Sequence, residues 1–153
     1  MTRRPATPND VERMLALMAP HVAAGDLLPR TPEDVRERLH EFLLLEGNGT
    51  ERRLVGVGAL HRYDAEMAEI RSLAVDPGWT GQGCGRFLAS GLIEKARAEG
   101  HERLIALTRR PAFFERLGFS RTHLDALPEK VTRDCILCPR RLCCDETAML
   151  LRL

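Results

Sequence analysis

Residues 69–100 read EIRSLAVDPGWTGQGCGRFLASGLIEKARAEG, and this stretch decides the fold. Ile70, Leu73 and Val75 lie in a short apolar run that Asp76-Pro77-Gly78 ends, because proline and glycine do not continue a sheet well. That run is a predicted strand. Phe87, Leu88, Gly91, Leu92 and Ala96 then recur at helical spacing and predict one apolar side of a helix. Gly100 supplies the residue that takes left-handed geometry after the last turn. Between strand and helix stand Gly81, Gly83 and Gly85, where the lack of a Cβ lets a ligand approach the backbone and the first helical amides point at it. The stretch therefore predicts an anion-binding helix N-terminus.

Working outward, Arg3 to Ala6 predicts a first strand, and Thr7-Pro8-Asn9-Asp10 offers capping side chains before a helix marked by Val11, Met14, Leu15 and Met18. A second helix is expected from Thr31, with Pro32 at its first position and Val35, Leu39 and Phe42 as its buried stripe. The linker between them, Gly25-Asp26-Leu27-Leu28-Pro29-Arg30, is apolar for a loop. Taken alone, it predicts Leu27 and Leu28 packed under the helices and Arg30 solvated. FLLLE, the turn Gly47-Asn48-Gly49-Thr50 and RRLVGVGALHRY follow as a hairpin, and the glycines of its second arm suggest close packing or a bend. Arg103 to Thr108 forms the strand after the central helix, Pro111 opens a short helix that Gly118 stops, and Ala148 to Leu153 is a final apolar strand. Antiparallel strands followed by a strand, helix, strand crossover predict an α/β (α+β) domain: a mixed, mostly antiparallel central sheet flanked by helices. A single domain over residues 1–153 is expected.

Composition narrows the function. The 23 basic and 22 acidic residues leave a formal charge of +1, which gives no global pull toward nucleic acid. No window reaches the roughly 20 apolar residues that span a bilayer, and MTRRPATPND lacks the apolar core of a secretory signal. A cytoplasmic protein with no nucleic-acid or membrane partner is expected. GQGCG is too short for a dinucleotide fingerprint and lacks the Lys-Ser/Thr of a nucleoside triphosphate loop. What fits is a pyrophosphate held by main-chain amides, with Arg86 in the first helical turn as an added charge.

The segment VDPGWTGQGCGRFL resembles the acetyl-CoA signature of the GCN5-related N-acetyltransferases, the GNAT superfamily, and AFFERLGF resembles that family's short helix beside the cofactor thiol. The resemblance implies acetyl-CoA as co-substrate. It implies that Thr80, Gly81, Gly83, Gly85 and Arg86 form the pyrophosphate side and that main-chain groups at Leu73, Ala74 and Val75 meet the amide-rich arm of CoA where the strand splays away at a bulge. Thr80 stands where the family has Gln or Arg, a loss softened by the main-chain character of such a grip. Phe114 stands where many members carry a tyrosine that protonates the departing thiolate, so another group or water does so, or the thiolate departs unaided; Cys84, Tyr63 and Thr108 are the candidate groups.

Direct attack of an amine on the thioester requires a base. Glu69 and Arg71 fall on one face of the central strand by its period of two, and the resemblance implies Glu69 as that base. A closer resemblance is to the short, stand-alone N-acetylglutamate synthases, carried by LLPR (Leu27 to Arg30), EIRSLAV, FFERLGF, LPEKV (Leu127 to Val131) and CDETAM. It implies L-glutamate as the acceptor and Arg30 with Arg71 as bidentate carboxylate clamps. Arg109 and Arg110 are lesser candidates. An acetyltransferase for another amino acid or small amine, glutamine for example, or a non-catalytic acyl-CoA or amino-acid sensor, is the alternative. A homodimer is left open. Cys135, Cys138, Cys143 and Cys144 have the short spacing of thiolate ligands, yet two are adjacent, so reduced thiols are expected and zinc is the alternative. Of the histidines, only His61 is placed to reach the cleft.

Overall fold

The computed structural model describes residues 1–127 and 145–153. In chain order, the strands and helices are β1 (Thr2–Pro5), α1 (Val11–Ala23), α2 (Pro32–Glu37), β2 (Phe42–Glu46), β3 (Leu54–Arg62), β4 (Met67–Val75), α3 (Cys84–Ala98), β5 (Arg103–Thr108), α4 (Pro111–Glu115), β6 (Ser120–Thr122) and β7 (Thr147–Arg152). One sheet takes all seven strands in the order β1-β2-β3-β4-β5-β7-β6. Its only parallel pair among the described residues is β4 with β5, the pair that α3 connects. The mixed, mostly antiparallel sheet is the one expected, and no helix among the described residues is long and apolar enough to cross a membrane.

Helix α3 covers one face of the sheet through Leu88, Leu92, Ile93 and Ala96. It lies very close, because a Cβ on Gly58 would stand 2.7 Å from Leu92 Cδ1 and one on Gly56 would stand 3.1 Å from Leu88 Cδ2. Close packing is thus the reason for the glycines of β3. Helices α1 and α2 cover the other face, where Val11, Met14, Met18 and Val35 pack on Phe42, Leu44, Val57, Ala59 and Ala74.

Three expectations need correction. Leu88, Gly91, Leu92 and Ala96 of the predicted α3 stripe are buried, but Phe87 faces outward, 38% exposed, under the guanidinium of Arg3. Helix α2 is only six residues long. Val35 alone is buried on it, Leu39 lies in a following 3-10 turn, and Phe42 begins β2 opposite Ala59. The run Phe42-Leu43-Leu44-Leu45 gains more from sheet pairing and burial on both sides than from extending an exposed helix. Leu27 packs against the α1–α2 cluster while Leu28 is 44% exposed. Strand β6 is short, polar and exposed, and its pairing with β7 has no period to betray it.

A buried charge cluster ties the N-terminus to the sheet. Asp10, 1% exposed, accepts both terminal nitrogens of Arg4 at 2.8 Å and the Thr7 amide at 2.8 Å. Arg4 also reaches Glu46 on β2 at 2.7 Å. The hydrogen bonds from Arg4, more than any other cause, hold the Asp10 carboxyl far below the usual carboxylate range, and the same pairing pushes Arg4 upward. A carboxyl that titrates lower folded than unfolded stabilises the fold fully above its unfolded value of about 4 and loses that contribution as pH falls below it. Asp10→Asn is therefore expected to cost about 3 kcal/mol near neutrality, because Arg4 keeps Glu46 but loses its buried bidentate partner. The gap between variant and wild type should shrink in acid. Thermal melts from neutral to acid pH check this, and a gap that persists unchanged in acid contradicts it.

Candidate active site

The site begins where β4 and β5 part. Their pairing covers Met67, Ala68 and Glu69 against Arg103, Leu104 and Ile105, and beyond Glu69 β5 continues beside β7 while β4 continues beside β3. Glu69 therefore stands at the apex of a V-shaped opening. On the other edge of β4 the register with β3 shifts, so that Gly58 faces both Ser72 and Leu73. Splay and bulge thus lie on opposite edges of β4, whereas the sequence reading placed them together. Ser72 takes a left-handed φ of 52°, the only positive φ of a non-glycine residue among those described, at a cost of order 1 kcal/mol.

The bulge has a consequence for side chains. An extra residue reverses the alternation along a strand. Before it, Ala68 and Ile70 point to the α3 face, and Glu69 and Arg71 to the opposite face beside Tyr63. After it, Leu73 and Val75 face α3, and Ala74 faces α1. Odd-numbered residues thus serve both faces of one strand.

On the α3 side, the turn after β4 is fixed at several points. Asp76 accepts the Gly78 amide at 2.8 Å and Arg53 Nη2 at 2.9 Å, and Trp79 packs with Val55 and the residues around it. The Gly78 N–H, foremost, with Arg53 as a second donor, holds the Asp76 carboxyl below its usual range. Gly81 and Gly83 have φ of 77° and 79°, and Gly83 caps α3 without any side chain over the first amides. Those amides are presented for an anion. Gly85 differs in function: it lies within α3, and a Cβ there would stand 3.4 Å from the Phe113 ring. The exposed Thr80 donates its hydroxyl to Pro77 O at 3.0 Å, which stitches the turn internally. Arg86 is exposed and lines a groove of about 330 Å³ with Arg97 and Arg116.

On the α1–α2 side, Glu69 is 4% exposed. Tyr63 Oη donates to its Oε2 at 2.7 Å, and Arg71 Nε donates to its Oε1 at 3.2 Å. Arg71 Nη2 also donates to Tyr63 Oη at 2.6 Å. Arg30 is not solvated as the linker alone suggests. Its side chain is 13% exposed and lies over the Phe42 ring, with Nε on Asp34 at 2.7 Å and Nη1 on Ser72 Oγ at 3.2 Å. His61 stands edge-on to Tyr63 at 5.1 Å and meets Glu41 through Nδ1 at 3.1 Å. The fold thus brings Glu69, Arg71 and Arg30 to one face, around the bulge.

Other candidates fall elsewhere. Phe114 is buried between Phe113 and Phe119, and Phe113 is the ring that touches the α3 turn. Cys84 is sealed among Leu45, Val55 and Leu88. Arg109 pairs with Asp145 at 3.0 Å and Asp26 at 3.4 Å, and Arg110 is 79% exposed. Cys135, Cys138, Cys143 and Cys144 lie outside the described residues, within which no group of His, Cys, Asp and Glu is arranged to hold a metal ion. The sequence signals a capping role for Asp34, three residues after Thr31, and none for Ser72, Arg38 and Glu41. Asp34 and Arg38 follow Arg30 at steps of four, the signal that marks ion pairs on a helix.

The acetyltransferase (GNAT) family model matches residues 12–119, which hold the whole splay, turn and central helix. The chain belongs to this family. Among GNAT relatives, it is 35% identical over 133 residues to an uncharacterized N-acetyltransferase of Chlorobaculum tepidum, covering 84% of this chain and 81% of that one. It is 34% identical to the amino-acid acetyltransferase of Mycobacterium tuberculosis, covering 82% and 70%. A Mycobacterium tuberculosis protein solved in complex with CoA and NLQ superimposes with a TM-score of 0.87 at 28% identity, over 100% of this chain and 99% of that one. The N-acetylglutamate synthase of Neisseria gonorrhoeae, complexed with coenzyme A and N-acetyl-glutamate, superimposes with a TM-score of 0.89 at 32% identity, over 99% of this chain and 35% of that one. The chain spans about a third of the length of that synthase. As a GNAT enzyme, it takes acetyl-CoA as co-substrate, and the uncapped start of α3 with its left-handed glycines fits a pyrophosphate. Gly83→Ala puts a Cβ on a left-handed residue at that start and is expected to weaken CoA about tenfold. Calorimetric titration with CoA checks this, and unchanged affinity would remove the turn from the binding site.

Proposed function

We propose that this chain transfers the acetyl group of acetyl-CoA to the α-amine of L-glutamate by direct attack within a ternary complex. One observation carries the reading: a buried carboxylate, Glu69, and a mostly buried guanidinium, Arg30, which docks on Ser72 of the same strand, both lie on the side opposite the α3 turn. The comparisons with amino-acid acetyltransferases and with an N-acetylglutamate synthase support the same acceptor class.

In this reading Glu69 receives the proton of the substrate ammonium, through water since both its oxygens already have partners. The amine nitrogen then attacks the thioester carbonyl carbon, the C–S bond breaks, and the sulfur leaves as thiolate with the bonding pair. Of the three donors considered for that thiolate, Tyr63 gives its hydroxyl proton to Glu69, and Cys84 is sealed behind α3. Thr108 remains only as a hydrogen-bond donor: its Oγ1 accepts the Arg110 amide at 2.8 Å, which leaves its O–H free to point at the thiolate, and the proton that the sulfur finally takes comes from water. Arg30 binds a substrate carboxylate. Arg71, already joined to Glu69 and Tyr63, orients the base and supplies positive charge beside the acceptor. Leu73, Ala74 and Val75 line the donor arm of the opening, with Thr80, Gly81, Gly83, Gly85 and Arg86 at its pyrophosphate end. Phe114, inside the core, supports the α4 wall and does not take part in the proton transfer.

CoA release measured over a panel of amino acids tests the acceptor. Glutamate should give the highest kcat/KM, and a preference for glutamine or another amino acid would replace it. Binding of CoA without turnover of any panel member would instead favour a sensor. Glu69→Gln should lower kcat about a hundredfold at neutral pH while acetyl-CoA affinity holds. An unchanged rate would remove Glu69 as base.

A further inference from the structure

We propose that Asp34 is a positioning residue for the acceptor: by holding Arg30 through Nε, it decides which edge of that guanidinium meets the substrate carboxylate. The proposal rests on the reading of Arg30 as a carboxylate clamp. Arginine carries five N–H donors in a planar fork, and its long stem gives it many rotamers to lose on binding. Here three contacts remove that freedom in advance. Nε donates to Asp34 Oδ2 at 2.7 Å, Nη1 donates to Ser72 Oγ at 3.2 Å, and the plane lies against Phe42, 4.8 Å from the ring centre. Nη2 makes no hydrogen bond to the described residues, so this is the nitrogen presented to a ligand.

Asp34 is itself fixed from two directions. Its amide donates to Thr31 Oγ1 at 3.1 Å, which sets it in the first turn of α2, and its second oxygen accepts Arg38 Nε at 3.0 Å. Arg38 in turn donates to Glu41 at 3.3 Å. Glu41 is 5% exposed and meets His61 on β3. His61 packs edge-on to Tyr63, which donates to Glu69. The clamp and the base are thus two ends of one ladder of contacts, and Asp34 is the rung next to the clamp. A carboxylate in the first turn of a six-residue helix also steadies that helix. The test must separate the two roles.

A double-mutant cycle does so. Asp34→Asn keeps the size of the side chain and removes its charge, and it is expected to raise the acceptor KM about tenfold while the acetyl-CoA KM moves less than about twofold. In an Arg30→Ala background the same change should alter the acceptor KM by less than about twofold, because Asp34 acts only through Arg30. Equal factors in both backgrounds would overturn the proposal, and so would parallel losses for both substrates with a lowered thermal midpoint. The acceptor used is whichever amino acid the wild type turns over fastest, so a wrong choice of glutamate shows in the wild-type panel and not in the cycle. Calorimetric binding of that amino acid to the CoA complex gives the same readout when turnover is slow. Arg30→Ala without effect on that binding would sink the clamp and the proposal together.

Discussion

The structure depends on one constraint: β4 is paired along its whole length with β3 but only as far as Glu69 with β5. Backbone groups on the open edge beyond that point need partners other than a strand. In the proposed function the same strand also presents side chains to a donor on one face and an acceptor on the other. A regular strand gives each face every second residue, with one fixed parity. The bulge at Ser72 changes that parity part-way, so that Glu69 and Arg71 belong to the acceptor face and Leu73 and Val75 to the donor face. The left-handed backbone of Ser72 is the strained element that this arrangement requires. Its hydroxyl is also where Arg30 docks, so the same residue turns the strand and receives the proposed clamp.

Charge pairs around the site serve geometry more than stability. Arg71 lies on Glu69, Arg30 on Asp34 and Arg109 on Asp145, all at hydrogen-bonding distance. Such pairs gain little net stability when partly exposed, because desolvation and side-chain ordering offset the Coulomb attraction. Their value is orientation. A guanidinium already aligned loses less freedom when a carboxylate arrives. The Arg4–Asp10 cluster, remote from the opening and with Asp10 almost fully buried, is the contrasting case in which pairing holds chain segments together.

The central strand, turn and helix were legible because each carries a local signal: an apolar run, a Pro-Gly stop, left-handed glycines and a helical period. Glu69 and Arg71 were legible as a pair because both precede the bulge. The bulge itself was not, since it falls on a serine, a residue that marks no break in a strand. Phe87 was misplaced because its neighbours Cys84, Leu88, Leu92 and Ala96 form a spacing-of-four stripe that does not include it. Helix α2 was drawn too long because local propensity does not register that Phe42 has a place in the sheet. Arg30 was readable as a solvated linker residue or as a clamp, and only tertiary contact with Phe42 and Ser72 separates the two. Tyr63 entered the sequence reading as a proton donor to sulfur, but its partner in the fold is the carboxylate of Glu69.

In the proposed function, donor and acceptor are recognised by different kinds of atom, and this divides what a sequence change can do. The donor half would rest on main-chain amides at the start of α3 and along the open edge of β4, which depend on backbone conformation at a few glycines and tolerate the replacement of a side chain such as that at Thr80. The acceptor half rests on side chains, Arg30, Arg71, Tyr63 and Glu69, held by others in a ladder that crosses three elements. A substitution on that ladder shifts the position of a charge without altering the sheet. Acceptor choice can therefore drift on this face while the thioester chemistry stays fixed on the other, since the residue that separates the two faces, Ser72, is set by the register of β4 against β3.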